Sequence, residues 1–326
     1  MTAPPTDPTA AAGGAPDVPR QPTFAHRAEY AAVRAVVAAL HTLSWRRASD
    51  LGARLGALGH QPLGVRRDVV EKQIAAAFPA IGDKEVRRIA RGAFENLGRT
   101  FIEAALLPRY GPARIPELFS GAENWHLVER ARAAGRGLIL VGGHLGNWEA
   151  AGAYIAARGV PFEAIARRMG NPLFDDYVGA TRERAGMRII HDADAVRRTP
   201  RALKEGHAVG FLFDQGVLGL ASTFVPFFGR PAKTPRGPAV FALRLRVPVV
   251  FAVALRERDG RFRLHLEEVS VEETGDRERD TDAIVAEYSR ILEQYVRRVP
   301  EQYFWHHRRW RRQPDDTPAE LRDPTR

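Results

Sequence analysis

The stretch from Gly137 to Gly152, GLILVGGHLGNWEAAG, holds a histidine, His144, and five positions later a glutamate, Glu149. An imidazole beside a carboxylate suits proton transfer: the carboxylate fixes the ring tautomer and stabilises the imidazolium that forms. The spacing lets a glutamate in the first turn of a helix reach back to a ring nitrogen on the preceding loop. Glu149 is therefore expected to orient His144, and His144 to take a proton from an attacking hydroxyl as general base, a contribution of roughly 10²- to 10⁴-fold. A histidine that only caps a helix is the competing reading.

The elements around the pair give it a position. Leu138, Ile139, Leu140 and Val141 show no polar alternation, which predicts a strand buried on both faces. Residues 147 to 158 are alanine-rich with apolar positions at helical spacing, so the chain passes from strand to helix through a glycine-bearing turn. His144 then stands at the carboxyl end of a strand, where open α/β sheets take their ligands.

Other chemistries find little support. The chain has no cysteine, which excludes disulfide frameworks, thiolate zinc sites and cysteine nucleophiles. It has no G-x-S-x-G elbow, so direct attack by the acceptor is favoured over an acyl-enzyme. His306 and His307 are adjacent, no H-E-x-x-H occurs, and the glycines of GGHLGN do not form G-x-G-x-x-G. No metal and no cofactor are expected.

The 326 residues carry a formal charge of +10 and are 44% hydrophobic. That is enough to bury a substantial core, and the charge favours nucleic acid, anionic lipid or an acidic protein as partner. Residues 1–24, rich in proline, alanine and glycine, read as a disordered tail without signal-peptide order. In EYAAVRAVVAALHTLSWRR, Tyr30, Val33, Val36, Val37, Leu40 and Leu43 share one helical face, with Trp45, Arg46 and Arg47 at the end. Arg34 and His41 interrupt a run already shorter than the roughly 20 residues of a spanning helix, so a surface-lying helix or an ordinary core-packed one is expected.

Residues 25–115 read as helical throughout, and 116–314 as an α/β unit, followed by a short tail over 315–326. Within the α/β unit, helix 122–134, strand 137–143, helix 147–158, strand 162–167 and helix 172–184 precede strand MRIIH, helix 194–205 and strand AVGFLFDQ. Two strands joined at Arg258-Asp259-Gly260 and a helix from about Asp280 to Arg298 complete it.

An ordered series of blocks carries a resemblance. GGHLGNWEAAG, ARRMGNPLFDDYV, FLFDQG, FFGRPAKTPRGPAVFALR and PEQYFWHHRRWRRQP are similar, in that order, to blocks of the lipid A biosynthesis acyltransferases, the late lauroyl and myristoyl transferases of the lysophospholipid acyltransferase superfamily. The resemblance covers about Glu29 to Pro314 and implies a glycerol-3-phosphate acyltransferase-like central sheet flanked by helices, preceded by a helical lead-in. It implies His144 as general base and Glu149 as its orienting carboxylate. Arg167 falls where the family has an arginine thought to bind an anionic substrate group; Arg168 and Asn171 belong to the same block, and a guanidinium fork suits phosphate.

Asp214 and Gln215 end an apolar strand and either hold the acceptor and the site loops or serve structural hydrogen bonds. Lys233 and Arg236 lie in a segment suited to closing over an acyl chain and touching phosphate. The mixture of rings and arginines in YFWHHRRWRRQP suits a membrane interface, or alternatively single-stranded nucleic acid.

By that resemblance the protein moves an acyl chain from acyl carrier protein or coenzyme A to a hydroxyl of a lipid A precursor, at the cytoplasmic face of the inner membrane, held peripherally because the family's transmembrane anchor is replaced here by a short helix containing Arg34. Neighbouring possibilities are acylation of a phosphatidylinositol mannoside or a lysophospholipid. A non-catalytic basic binding protein is more remote, and nucleic acid is not an expected partner.

Overall fold

The computed structural model describes residues 21–216 and 219–326. The expectation of a disordered tail thus falls largely outside the described residues. Four helices come first: α1 (Phe24–Leu40), α2 (Trp45–His60), α3 (Arg67–Ala77) and α4 (Asp83–Arg114). The amphipathic run expected to be one helix is divided. Residues 41–44 form a turn, and Ser44 caps α2 by accepting from the Arg47 amide, so Trp45, Arg46 and Arg47 begin a second helix instead of ending the first. Helices α2 and α4 cross so closely that a Cβ on Gly52 would meet the Gly98 carbonyl at 2.6 Å, and one on Gly98 would strike the Gly52 carbonyl. Only residues without a side chain permit that approach.

The remainder alternates strand and helix: β1 (Phe119–Glu123), α5 (His126–Ala133), β2 (Leu138–Gly142), α6 (Trp148–Ala157), β3 (Phe162–Ala166), α7 (Pro172–Arg184), β4 (Met187–His191), α8 (Ala195–Lys204) and β5 (Ala208–Leu212). Then come β6 (Ser222–Phe227), β7 (Arg230–Pro235), α9 (Gly237–Leu245), β8 (Val249–Arg256), β9 (Phe262–Glu268) and α10 (Arg277–Arg298). Seven strands form one sheet in the order β1-β9-β8-β2-β5-β3-β4. Strands β8, β2, β5, β3 and β4 run parallel, while the β8–β9 hairpin turns β9 and its parallel neighbour β1 the other way. The expected α/β architecture, a mostly parallel sheet flanked by helices and preceded by a helical region, is therefore the architecture found.

All five residues of β2 are buried, as the unbroken apolar run predicts for a central strand covered on both faces. Residues 119–123 pair with β9 as strand β1, where the pattern suggested that a helix begins at 122. The segment FFGRPAKTP is not an open loop: it contributes to the two-stranded β6–β7 hairpin, followed by α9. Residues 315–326 fold back onto the body, with Arg308 paired to Asp323 at 2.6 Å and Arg230 donating to the Arg322 carbonyl.

Candidate active site

Strands β2 and β5 are neighbours in a parallel register that sets Gly142 opposite Leu212. Two residues past each end, the same register brings His144 opposite Asp214. Nδ1 of His144 lies 2.7 Å from Oδ1 of Asp214, and the His144 backbone amide donates to Oδ2 at 3.0 Å. The carboxylate that meets the imidazole thus comes from a strand seventy residues away, not from Glu149.

Glu149 faces elsewhere. Asn147 caps α6 by accepting from the Ala150 amide at 2.9 Å, and the first turn of the helix directs Glu149 toward α7, where Arg182 binds both its oxygens at 2.6 and 2.9 Å. The expected bond from Glu149 to the ring is replaced by this ion pair. Burial opposes the Arg182 charge, but its pairing with Glu149 holds its pKa above the usual value. Arg182 was not singled out in the sequence, since nothing local links it to residue 149.

Asp214 is 2% exposed. Burial alone would favour its neutral form, but the charge and hydrogen bonds of His144, together with nearby Arg309, outweigh this and lower its pKa to about 2. It therefore remains a carboxylate at neutral pH. Burial, reinforced by the Asp214 charge, pushes the Tyr303 hydroxyl well above its usual range. The His144 ring stands against Trp148 at 4.9 Å and Phe304 at 5.8 Å. The Gln215 side-chain amide lies 3.4 Å from Nε2 of His144.

The loop carrying His144 is held from three sides. Gly146 has φ +65°, and a Cβ there would strike the Ala254 carbonyl, so glycine is required. The Gly146 amide donates to the Gln302 carbonyl and the Asn147 amide to the Ala254 carbonyl, so both groups are engaged within the fold. Asn96 and Thr100 of α4 both donate to the Gly146 carbonyl. Below the cap, the Asn147 side-chain amide donates to Glu103, which is fully buried and also receives Ser49 and a two-pronged contact from Arg256 at 2.7 Å. Ser49, Asn96, Thr100, Glu103 and Arg256 lie far apart in the chain and outside every block singled out in the sequence.

The other expected site residues are dispersed. Arg167 is largely exposed, 3.8 Å from Asp192, and Arg168 lies 3.7 Å from Asp175. Asn171 caps α7 through the Leu173 amide and reaches the His26 carbonyl and Glu29 of α1. Arg236 is engaged by Glu278 at 2.7 Å and Asp282 at 2.9 Å, an anchor between the start of α9 and α10. Lys233 lies on β7, against Gly216.

The rings of the arginine-rich segment do not form an interfacial belt: Tyr303, Trp305 and Trp310 are buried. Their apolar area is better satisfied in the core, where Trp310 also donates to the Phe227 carbonyl and Trp305 to Pro300. Among the described residues no group of histidine, cysteine, aspartate or glutamate is arranged to hold a metal ion.

Beside the histidine loop, α1, α4 and α7 enclose an apolar cavity of about 500 Å³, walled by Val33, Val37, Phe101, Phe174, Val178 and Trp148. Glu149 and Arg182 form its charged rim. The arrangement sets a His–Asp pair with a buried carboxylate beside a chamber able to hold an alkyl chain.

Comparison with known proteins identifies relatives of the chain. A family model described as bacterial lipid A biosynthesis acyltransferase matches residues 18–312. The chain is 27% identical over 266 residues to the lipid A biosynthesis palmitoleoyltransferase of Escherichia coli (strain K12), covering 81% of this chain and 85% of that one. It is 27% identical to the lauroyltransferase of the same organism, covering 82% and 87%. A phosphatidylinositol mannoside acyltransferase of Mycobacterium tuberculosis (strain ATCC 25618 / H37Rv) is 28% identical, covering 66% and 67%.

Proposed function

Since the chain belongs to the bacterial lipid A biosynthesis acyltransferase family and is an acyltransferase, we propose that it moves a fatty acyl chain from a thioester, carried by acyl carrier protein or coenzyme A, to a hydroxyl of a lipid A precursor. The observation that carries the catalytic reading is the 2.7 Å contact between His144 Nδ1 and a buried, ionised Asp214. With Nδ1 donating to the carboxylate, Nε2 is the basic nitrogen.

The acceptor hydroxyl attacks the thioester carbonyl, the new C–O bond forms, and Nε2 takes the hydroxyl proton. Collapse of the tetrahedral intermediate breaks the C–S bond, and the leaving thiolate takes the proton back from His144. Asp214 stabilises the transient imidazolium, and the Gln215 amide beside Nε2 holds the acceptor oxygen. The alkyl chain occupies the apolar cavity, whose wall includes Trp148, the ring packed on His144. Work on a membrane glycolipid calls for attachment at the cytoplasmic leaflet, and the basic charge together with the exposed apolar side chains of α1 suits a peripheral one. The mycobacterial relative supports a second reading for the acceptor, a phosphatidylinositol mannoside.

Transfer from labelled acyl carrier protein and acyl coenzyme A to both acceptors tests this reading. His144→Ala and Asp214→Asn are expected to lower kcat by about 10²- to 10⁴-fold. Glu149→Gln, which breaks an ion pair on the cavity rim, is expected to raise KM for the donor more than it lowers kcat. Full activity of Asp214→Asn, with loss confined to Glu149→Gln, would reverse the assignment of the orienting carboxylate.

A further inference from the structure

The arginine-rich segment beyond α10 contributes a second, polar cavity. It measures about 50 Å³ and is lined by Gly216, Lys233, His307 and Arg308 to Arg312 without the buried Trp310. That volume exceeds the ~10–15 Å³ needed by one water several times over, which is room for a tetrahedral anion. Gly216 lies two residues past Asp214, and Arg312 Nη1 sits 3.5 Å from its carbonyl, so the cavity adjoins the His144–Asp214 pair.

Most of its cations lack a direct ion pair. Arg309 is 3% exposed, yet its guanidinium donates only to neutral acceptors, the Lys233 carbonyl and the Thr234 hydroxyl, both at 2.7 Å, and its Nε has no partner. Among the described residues neither Lys233 nor Arg309, Arg311 or Arg312 forms an ion pair; only Arg308 does, with Asp323. The nearest counter-charge to Arg309, Asp214, is not in direct contact and is already bonded to His144, so burial still lowers the Arg309 pKa, and a buried guanidinium without a directly paired anion is costly to a fold. His307 adds a buried Nδ1 without a partner.

The segment is also rigidly placed. Gln73 of α3, itself fully buried, donates to the carbonyls of Trp305 and His307 and accepts from the Arg309 amide. The backbone of the segment and the Arg309 guanidinium are therefore in place before any ligand arrives, which reduces the ordering cost of binding.

We propose that Lys233, Arg309, Arg311 and Arg312 bind a phosphate group of a substrate, seating it beside His144 and Asp214. This rests on the acyl-transfer reading for the identity of the substrate. Two substrates bring that chemistry: the thioester donor, whose pantetheine arm carries a phosphate in both acyl carrier protein and coenzyme A, and a glycolipid acceptor with a phosphorylated headgroup. A guanidinium pair suits either, since each fork bonds two phosphate oxygens.

The test uses the full chain and the double variant Arg311→Gln/Arg312→Gln, whose exposed or half-buried side chains leave the core intact. KM is measured for acyl-phosphopantetheine against acyl-pantetheine, and for a phosphorylated against a dephosphorylated acceptor. The expected result is a rise of about ten- to a hundredfold in KM for one phosphorylated substrate, with no difference between wild type and variant on its phosphate-free counterpart.

A donor-only effect assigns the phosphate to the pantetheine arm, and an acceptor-only effect assigns it to the headgroup. Unchanged KM for both phosphorylated substrates, or an equal loss with and without phosphate, overturns the proposal. If wild type transfers no acyl group, the acyl-transfer reading fails by itself, and calorimetric titration with inorganic phosphate decides the site. Binding weakened at least tenfold in the variant, at an unchanged Tm, supports it; equal binding or none overturns it.

Discussion

His306 is wedged between Phe94, 4.2 Å away, and Phe304, stacked at 5.2 Å, with neither ring nitrogen bonded and 8% of its surface exposed. Burial, with help from the Arg66 charge, lowers its pKa from 6.5 to about 4; burial does the same to His307. Both rings stay neutral in the fold while the unfolded chain takes up protons below pH 6.5, so their contribution is complete above 6.5 and lost as the pH falls toward 4. For His306 the expected loss between pH 8 and pH 5 is about 2 kcal/mol. Denaturant unfolding across that range should show the decline, and His306→Phe should remove about half of it, His307 carrying the rest; an unchanged slope in the variant would show that His306 does not carry its share. Asp214 works in a lower window, its stabilisation present above pH 3.8 and lost toward 2, so it stays ionised through this titration. The contrast also explains what the sequence could disclose about the site. His144 was legible because glycines and an apolar strand surround it, whereas its partner depends on the alignment of β2 with β5, which a local spacing cannot express.

The turn between β2 and α6 is where separate elements converge on one cap. Asn147 holds the first turn of α6 with its carbonyl oxygen and Glu103 of α4 with its amide, while Arg256 at the end of β8 closes the pair from the other side. Asn147→Ala removes the cap, worth about 1 kcal/mol, and one bond to a buried carboxylate; Glu103→Ala leaves the Arg256 charge buried without its partner and is expected to cost about 3–5 kcal/mol. Thermal unfolding measures the difference, and a Glu103→Ala variant as stable as Asn147→Ala would show the network to be dispensable. Rescue by Glu103→Gln should be partial, since shape returns without charge. Elements with a strong period were readable in advance: β2, α6, α7 and the β8–β9 hairpin stand close to their expected places. Strand β1 was not, because Ser120-Gly121-Ala122-Glu123 has no apolar alternation and forms only by pairing with β9. The β6–β7 hairpin was hidden by Pro226, Pro231 and Pro235, residues that argue against a central strand but are tolerated in a two-stranded ribbon.

Across the whole molecule, a charge of +10 and an apolar chamber beside α1 bear on the proposed function together, since under it a lipid leaves a membrane to reach His144. Phe24 and Val36 on α1 and Phe101 on α4 are 87%, 59% and 63% exposed, a set of large apolar side chains around the helix that covers the chamber. Seating such side chains in the interface contributes about 1.5–3 kcal/mol each when fully buried, and each basic residue near an anionic surface adds about 1 kcal/mol that salt screens. The two contributions separate experimentally. Sedimentation with vesicles rich in anionic lipid should recover most of the protein at low salt, and raising the salt should release it in part. Phe24→Ser/Val36→Ser should weaken the salt-resistant remainder by tenfold or more; because Val36 also lines the cavity, Phe24→Ser alone is the variant that should leave transfer to a detergent-dispersed acceptor little changed. If instead the double variant sediments like wild type at high salt, the salt-resistant attachment is carried by other side chains, and α1 serves only to roof the cavity. Neutral vesicles binding as well as anionic ones would assign the excess of arginine to substrate phosphates and to the fold's own ion pairs.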